Sequence, residues 1–140
     1  MKAIHEASQL PQLDTYELPT AHFVRLENHI VWVRYKALDD EVTIEQARKH
    51  TEAINLLGGG QPMHVIIDFR DIALTFSNEA RAYFASDEQH SALRLSQALI
   101  LDSLAQRIVG NFYLKFNRPN CPARIFARPE EAVKWIRSLK

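Results

Sequence analysis

A carboxylate, a guanidinium and a hydroxyl follow one another at the end of a short apolar segment. Asp68 ends the run His64 to Asp68, Arg70 lies two residues later, and Ser77 precedes a predicted helix. In open α/β sheets, ligands gather at the carboxyl ends of strands, beside the next helix N-terminus. We therefore predict a regulatory or strand-end site formed by Asp68, Arg70 and Ser77. Two roles are open to Ser77: a helix N-cap, or a hydroxyl whose phosphorylation changes a docking surface.

A second group of polar side chains recurs at helical spacing. Arg107, Asn111, Lys115 and Arg118 are separated by four, four and three residues, so they project from one side of a helix. Such a row is either solvated surface or a binding surface for an anionic group or an acidic partner. We predict it as an anion or partner surface.

The remaining reactive side chains lack the spacing of known catalytic or metal sites. The six histidines show no His-x-x-x-His pair, no serine lies in Gly-x-Ser-x-Gly, and the glycines at 58–60 follow a helix instead of preceding one. The single cysteine, Cys121, has no flanking histidine and is interpreted as a packing residue or a bystander. We expect no catalytic residue, metal or cofactor, with an enzyme as the alternative.

Composition describes one soluble domain. The 140 residues fall in the single-domain range, and no apolar run is long enough to span a bilayer. The N-terminus lacks a signal-peptide pattern and one cysteine cannot form an internal disulfide, so we expect a cytoplasmic protein. Seventeen basic and seventeen acidic residues argue against nucleic-acid binding. Residues 103–140 nevertheless carry a net charge of +6 and residues 1–102 one of −6, and this asymmetry makes a homodimer plausible.

Hydrophobic patterning predicts alternating strands and helices after an initial hairpin. Residues 21–26 and 30–36 read as an antiparallel pair, 64–68 as a central strand, and 93–101 and 123–127 as later strands. Helices are predicted after the capping signals Thr43-Ile-Glu-Gln46, Ser77 and Ser103-Leu-Ala-Gln106, and from Pro129. In the third helix, Leu104, Ile108, Phe112 and Phe116 recur every four residues and are expected to pack on the sheet.

The predicted order is ββαβαβαβα, an α/β fold whose mixed, mainly parallel sheet begins with an antiparallel hairpin and is packed by helices. Residues 1–19 are predicted as an N-terminal arm or edge segment, and residues 20–140 as one domain.

This arrangement resembles the STAS domain of bacterial anti-sigma-factor antagonists such as SpoIIAA. In those proteins a strand like Val-Val-Leu-Asp-Leu leads to Asp-Ser-Ser-Gly-Leu, whose first serine a partner kinase phosphorylates. Here residues 65–69, Val-Ile-Ile-Asp-Phe, match the strand, and residues 76–80, Phe-Ser-Asn-Glu-Ala, occupy the place of the serine motif. The resemblance implies that Ser77 corresponds to the phosphorylated serine, although the acidic residue and the glycine around it are replaced.

A closer resemblance is to a family of small, uncharacterised bacterial STAS-like proteins. Their shared segment resembles Asn-Phe-x-Leu-Lys-x-Asn-Lys-Pro-x-x-Pro-x-x-x-Phe, followed by Glu-Ala-x-x-Trp. This chain has Asn-Phe-Tyr-Leu-Lys-Phe-Asn-Arg-Pro at 111–119, then Pro122, Phe126, Glu131-Ala132 and Trp135. The resemblance supports the STAS-like fold and implies no particular activity.

The sequence favours a non-enzymatic regulatory or protein-interaction module with a protein partner. The alternative is a carrier of a small apolar or anionic amphipathic ligand, suggested by the Phe and Tyr residues of the second and third helices. Those aromatic residues are more often core.

Overall fold

The computed structural model describes residues 12–26, 29–36, 41–70, 76–86, 94–116 and 121–139. In these ranges the chain forms six strands and four helices in the order βββαβαβαβα. The elements are β1 (Gln12–Glu17), β2 (Ala21–Leu26), β3 (Ile30–Tyr35), α1 (Ile44–Leu57), β4 (Met63–Asp68), α2 (Asn78–Ser86), β5 (Arg94–Ile100), α3 (Leu104–Phe116), β6 (Ala123–Phe126) and α4 (Pro129–Ser138).

The six strands form one mixed sheet in which their spatial order is their chain order. β1, β2 and β3 are antiparallel neighbours, and β3 to β6 run parallel. The α/β class, the initial hairpin of β2 and β3 and the parallel strands that follow are confirmed. The predicted order ββαβαβαβα was wrong by one strand, because β1 is an edge strand whose residues 14–17 are exposed and show no apolar alternation. Residues 1–11 lie outside the described residues.

Helices cover both faces of the sheet. α1 packs on the face that carries Phe23, Val33 and Val65, whereas α4 packs on the face that carries Trp32 and Ile66. Gly110 of α3 approaches Ile125, and register places Ile125 in the same row as Val33, so α3 lies on the α1 face. α2 contacts α1 on that face as well.

Local signals at α1 act as the sequence predicts. The Thr43 hydroxyl accepts a hydrogen bond from the backbone N–H of Gln46 at 3.3 Å, and the Gln46 side chain accepts one from the backbone N–H of Thr43 at 2.9 Å. This reciprocal capping box satisfies two donors at the start of the helix. After the helix, Gly59 and Gly60 adopt positive φ values of 62° and 80°, a conformation that side-chain-bearing residues rarely adopt.

The orientation predicted for α3 was wrong. Leu104 and Ile108 were expected to face the sheet, but they are 75% and 61% exposed. The side of α3 that faces the sheet contains Gly110, where a Cβ atom would come within 2.5 Å of Leu101 Cδ1 and 3.0 Å of Ile125 Cδ1. The missing side chain lets the helix approach the sheet closely on that side, which turns Leu104 and Ile108 outward. The side chains of Phe112 and Phe116, the rest of the predicted stripe, lie outside the described residues.

In the described ranges, no helix combines the length and the apolar composition that a bilayer crossing requires.

Candidate functional site

The carboxyl ends of β3 and β4 converge on Asp68. The Asp68 side chain is fully buried, and it accepts hydrogen bonds from Trp32 Nε1 at 3.1 Å and from an Arg34 Nη1 at 2.8 Å. Arg70 adds its backbone N–H at 3.0 Å and its guanidinium, with Nε at 3.0 Å and Nη2 at 2.8 Å. We call Trp32, Arg34, Asp68 and Arg70 the Asp68 centre. Parallel pairing places Arg34 directly beside Asp68.

The electrostatics of the Asp68 centre favour a carboxylate. Burial opposes ionisation of Asp68, but the hydrogen bonds from Arg70 and the charges of Arg34 and Arg70 outweigh burial, so the pKa of Asp68 is lowered from its usual 3.8. A carboxylate held this way accepts hydrogen bonds and is a poor proton donor near neutral pH. The Asp68 centre therefore fixes the positions of two partly exposed arginines at the strand ends.

Ser77 has hydrogen-bond partners different from those of the other two predicted strand-end residues. Asp68 and Arg70 contact each other, whereas the Ser77 hydroxyl accepts a hydrogen bond from the backbone N–H of Ala80 at 3.0 Å. The Ser77 backbone N–H donates to the Val42 carbonyl at 2.9 Å, in the segment preceding α1. Ser77 is thus the N-cap of α2, and its phosphorylation stays a prediction.

Removal of this cap is expected to have a modest effect. We expect Ser77→Ala to lower the free energy of unfolding by about 1 kcal/mol, because one N–H at the start of α2 loses its acceptor. Ser77→Asp supplies another good capping group and is expected to keep nearly the original stability. Urea denaturation of the three proteins measures the difference, and equal losses in both variants would show that the hydroxyl is not acting as a cap.

A buried histidine joins α1 to the antiparallel strands. His50 Nε2 lies 2.5 Å from Thr20 Oγ1, and His50 Nδ1 lies 3.0 Å from the Tyr35 hydroxyl. The ring is almost entirely buried and packs edge-on against Phe23. Burial lowers the pKa of His50 from 6.5 to about 4, so the imidazole is neutral at physiological pH. One ring nitrogen then donates and the other accepts.

A serine and a histidine contact each other near the amino ends of β4 and β5. His64 Nδ1 lies 2.8 Å from Ser96 Oγ, and burial, with a smaller effect of the His29 charge, lowers the pKa of His64. This is the distance expected of a nucleophile and its base. Ser96 is fully buried, however. A depression of about 310 Å³ is lined by His64 but not by Ser96, so a molecule in it reaches the histidine and not the hydroxyl.

Burial also disfavours the thiolate form of the one cysteine. Cys121 is partly buried, and burial raises the pKa of its thiol despite the opposing effects of Gln97 and Arg94. A raised pKa keeps the thiol protonated, and the thiolate is the nucleophilic form. Among the described residues, no three His, Cys, Asp or Glu side chains lie close enough together to hold a metal ion.

The predicted partner surface lies on α3, and it also contains exposed apolar side chains that were predicted to face the sheet. Arg107 and Asn111 are exposed, as expected of a surface row. Leu104 and Ile108, also four residues apart, form a second exposed row beside them. We call these four residues the α3 surface. The Lys115 side chain and Arg118, the other members of the predicted row, lie outside the described residues.

The sequence patterns did not predict two members of the Asp68 centre. Trp32 and Arg34 lie in β3, 36 and 34 residues before Asp68, and their side chains alternate with apolar ones on the same strand. One signal could have linked Trp32 and Arg34 to Asp68. It is a buried strand that ends in a carboxylate and follows a strand with an inward arginine. Its use requires the parallel register of β3 and β4.

Comparison with known proteins places the chain in a family. Neither the curated proteins nor the solved structures contain a significant match. A family model described as a domain of unknown function, DUF7793, matches residues 24–140. The match spans β2 to α4 apart from the first three residues of β2, and so includes the Asp68 centre and the α3 surface. Because it covers well over half of the sequence, this chain belongs to the DUF7793 family of domains.

Proposed function

We propose that the chain is a non-enzymatic, STAS-like regulatory module of the cytoplasm that binds another protein through the α3 surface. The observation that carries this proposal is the exposure of Leu104 and Ile108, at 75% and 61%. Single exposed aliphatic residues are common, but two that stand one turn apart on a helix form a continuous apolar row. Contiguous exposed apolar surface is typical of protein interaction sites.

The packing of α3 supports a permanently outward-facing row. Gly110 lies against Leu101 and Ile125, and the hydroxyl of Ser103 caps the helix by accepting from the Gln106 N–H at 3.1 Å. Rotation of the helix to bury Leu104 would move Gly110 away from the sheet and lose this close contact. The contact of Gly110 with the sheet therefore holds α3 in the orientation that exposes Leu104 and Ile108.

The chemistry of the reactive side chains is consistent with a non-enzymatic role. Asp68 is ionised and hydrogen-bonded to three side chains, Ser96 is fully buried, and the raised pKa of Cys121 disfavours its thiolate. Each of these groups supports packing or hydrogen bonding within the described part of the chain.

Site-specific photo-crosslinking in cells that produce the protein tests the proposal. We expect a benzoylphenylalanine at position 108 to form a covalent adduct with a partner protein, and the adduct to disappear when Leu104→Ser is added. The control is the same probe at position 56, because Leu56 on α1 is similarly exposed, at 65%. Leu104→Ser alone is expected to leave the thermal midpoint nearly unchanged, since an exposed side chain contributes little to stability. Adducts of equal yield at 108 and 56, or none at 108, would contradict the proposal.

A further inference from the structure

We infer that the α3 surface recognises an acidic amphipathic helix, an inference that rests on the proposed function and adds the chemistry of the partner. The α3 surface has two parallel rows, Leu104 with Ile108 and Arg107 with Asn111. Each row follows the i, i+4 spacing of one helix side. A partner helix with one apolar row and adjacent acidic residues matches both rows at once, which is the usual pattern of helix recognition.

The charge of α3 indicates the charge that the partner carries. The sequence of α3 contains Arg107 and Lys115 and no carboxylate. An acidic segment is attracted to this helix, and charge complementarity of this kind suppresses the binding of segments with the wrong charge. A basic segment is repelled.

A second copy of the chain fits the α3 surface poorly. In a two-fold symmetric contact α3 would face α3, which brings each Arg107 into a shared positive environment. Two aliphatic side chains also supply far less than the roughly 800 Å² per partner that a stable dimer buries. A copy that docked its acidic residues on α3 instead would form a head-to-tail contact, which propagates as a chain of molecules unless it closes into a ring.

Phosphate-bearing partners fit less well than an acidic helix. Nucleic-acid binding derives its strength from many cationic contacts to phosphates, whereas the described α3 surface offers Arg107 and an apolar row. Attachment to an anionic membrane needs a broader apolar face than Leu104 and Ile108 provide. An apolar row beside one cation is better matched by the side of a helix.

Two designed peptides of about 20 residues, long enough to become helical on binding, test the inference. Both carry leucine at a and d heptad positions, and the flanking positions are glutamate in one and lysine in the other. Fluorescence anisotropy with the full chain at low salt is expected to show binding of the glutamate peptide and at least about tenfold weaker binding of the lysine peptide.

Variants on the α3 surface and matched variants on α1 make the test specific. Arg107→Glu is expected to weaken the glutamate peptide at least about tenfold and to strengthen the lysine peptide, since the charge pairing is reversed. Leu104→Ser with Ile108→Ser is expected to weaken the glutamate peptide to a similar degree. Arg48→Glu and Leu56→Ser, at exposed positions of α1, are expected to change binding less than about twofold.

Four results would overturn the inference. The first two are equal binding of the two peptides and no binding of the glutamate peptide. The third is adsorption of the protein to vesicles of three parts phosphatidylcholine and one part phosphatidylglycerol, if Leu104→Ser abolishes that adsorption. The fourth is a dimer in sedimentation, if the double serine variant dissociates that dimer. If the crosslink at position 108 forms but the glutamate peptide does not bind, the partner chemistry is wrong and the proposed function stands. If the crosslink fails, the proposed function falls as well.

Discussion

Asp68→Asn is expected to lower the free energy of unfolding by about 3 kcal/mol, the largest effect that we predict for a single substitution. The change keeps the shape of the side chain but leaves Arg34 and Arg70 beside a neutral group, and removal of one member of a buried ion pair costs about 3 to 5 kcal/mol. The lower end applies because both arginine side chains are 19% exposed and retain some solvation. Urea denaturation at pH 7 measures the loss.

The natural control for Asp68 is Glu17. This carboxylate also pairs with two side chains, His22 and Lys36, but it is exposed at the β1 edge of the sheet. Surface ion pairs contribute at most about 1 kcal/mol, so Glu17→Gln is expected to change stability only slightly. Equal losses in the two variants would mean that burial does not set the contribution of the Asp68 centre.

Acidification from pH 7 to pH 4 is expected to destabilise the folded protein by about 3 kcal/mol through His50 alone. The pKa of His50 is about 4 in the folded protein and 6.5 in the unfolded chain. Between these values the unfolded chain takes up a proton that the folded protein does not, so the free energy of unfolding falls as the pH falls. Each pKa unit of difference corresponds to about 1.4 kcal/mol.

Urea denaturation at several pH values, with and without His50→Gln, measures this contribution. The glutamine variant is expected to be less stable at pH 7 and to lose most of the slope between pH 6.5 and 4. His29→Asn is the control, since His29 is exposed with a φ of 59°, which asparagine tolerates; it is expected to keep the slope. An NMR titration in which the His50 ring of the unmodified protein protonates near pH 6.5 would contradict the prediction without any variant.

The two buried groups act in different pH ranges. His50 stabilises the fold in its neutral form, and its contribution is lost as the pH falls from 6.5 to about 4. Asp68 stabilises the fold as a carboxylate, and its contribution is lost only below its unfolded value of 3.8, because its folded pKa is lowered. Acid unfolding is therefore expected to begin with the His50 range.

The sequence predicted correctly those features that depend on a single strand, a single turn or a single helix end. The capping box at Thr43 and Gln46, the hairpin of β2 and β3 and the buried strand ending at Asp68 follow from local patterns, and the structure contains all three. Local signals of this kind need no knowledge of which elements are neighbours.

The failures have tertiary causes. Apolar residues occur on every side of the helix α3, so their periodicity alone does not identify the side that faces the sheet. Gly110 lies on that side, but a glycine has no hydrophobic side chain to contribute to the pattern. The link from Arg34 to Asp68 depends on the register between two parallel strands that are separated by a helix. Among the described residues β1 pairs with β2 alone, and the side chains of residues 14–17 are exposed, which weakens the apolar alternation.

The position of α4 has a consequence for synthesis on the ribosome. Each strand pairs with the strand made just before it, so the sheet and the helices α1 to α3 can assemble stepwise as the chain emerges. Ala132, Val133 and Ile136 of α4, which follows all six strands, pack against Trp32 and Ile66 on the opposite face. Until α4 has left the exit tunnel that face lacks its helical cover, and a nascent chain stalled before Pro129 is expected to be a chaperone substrate.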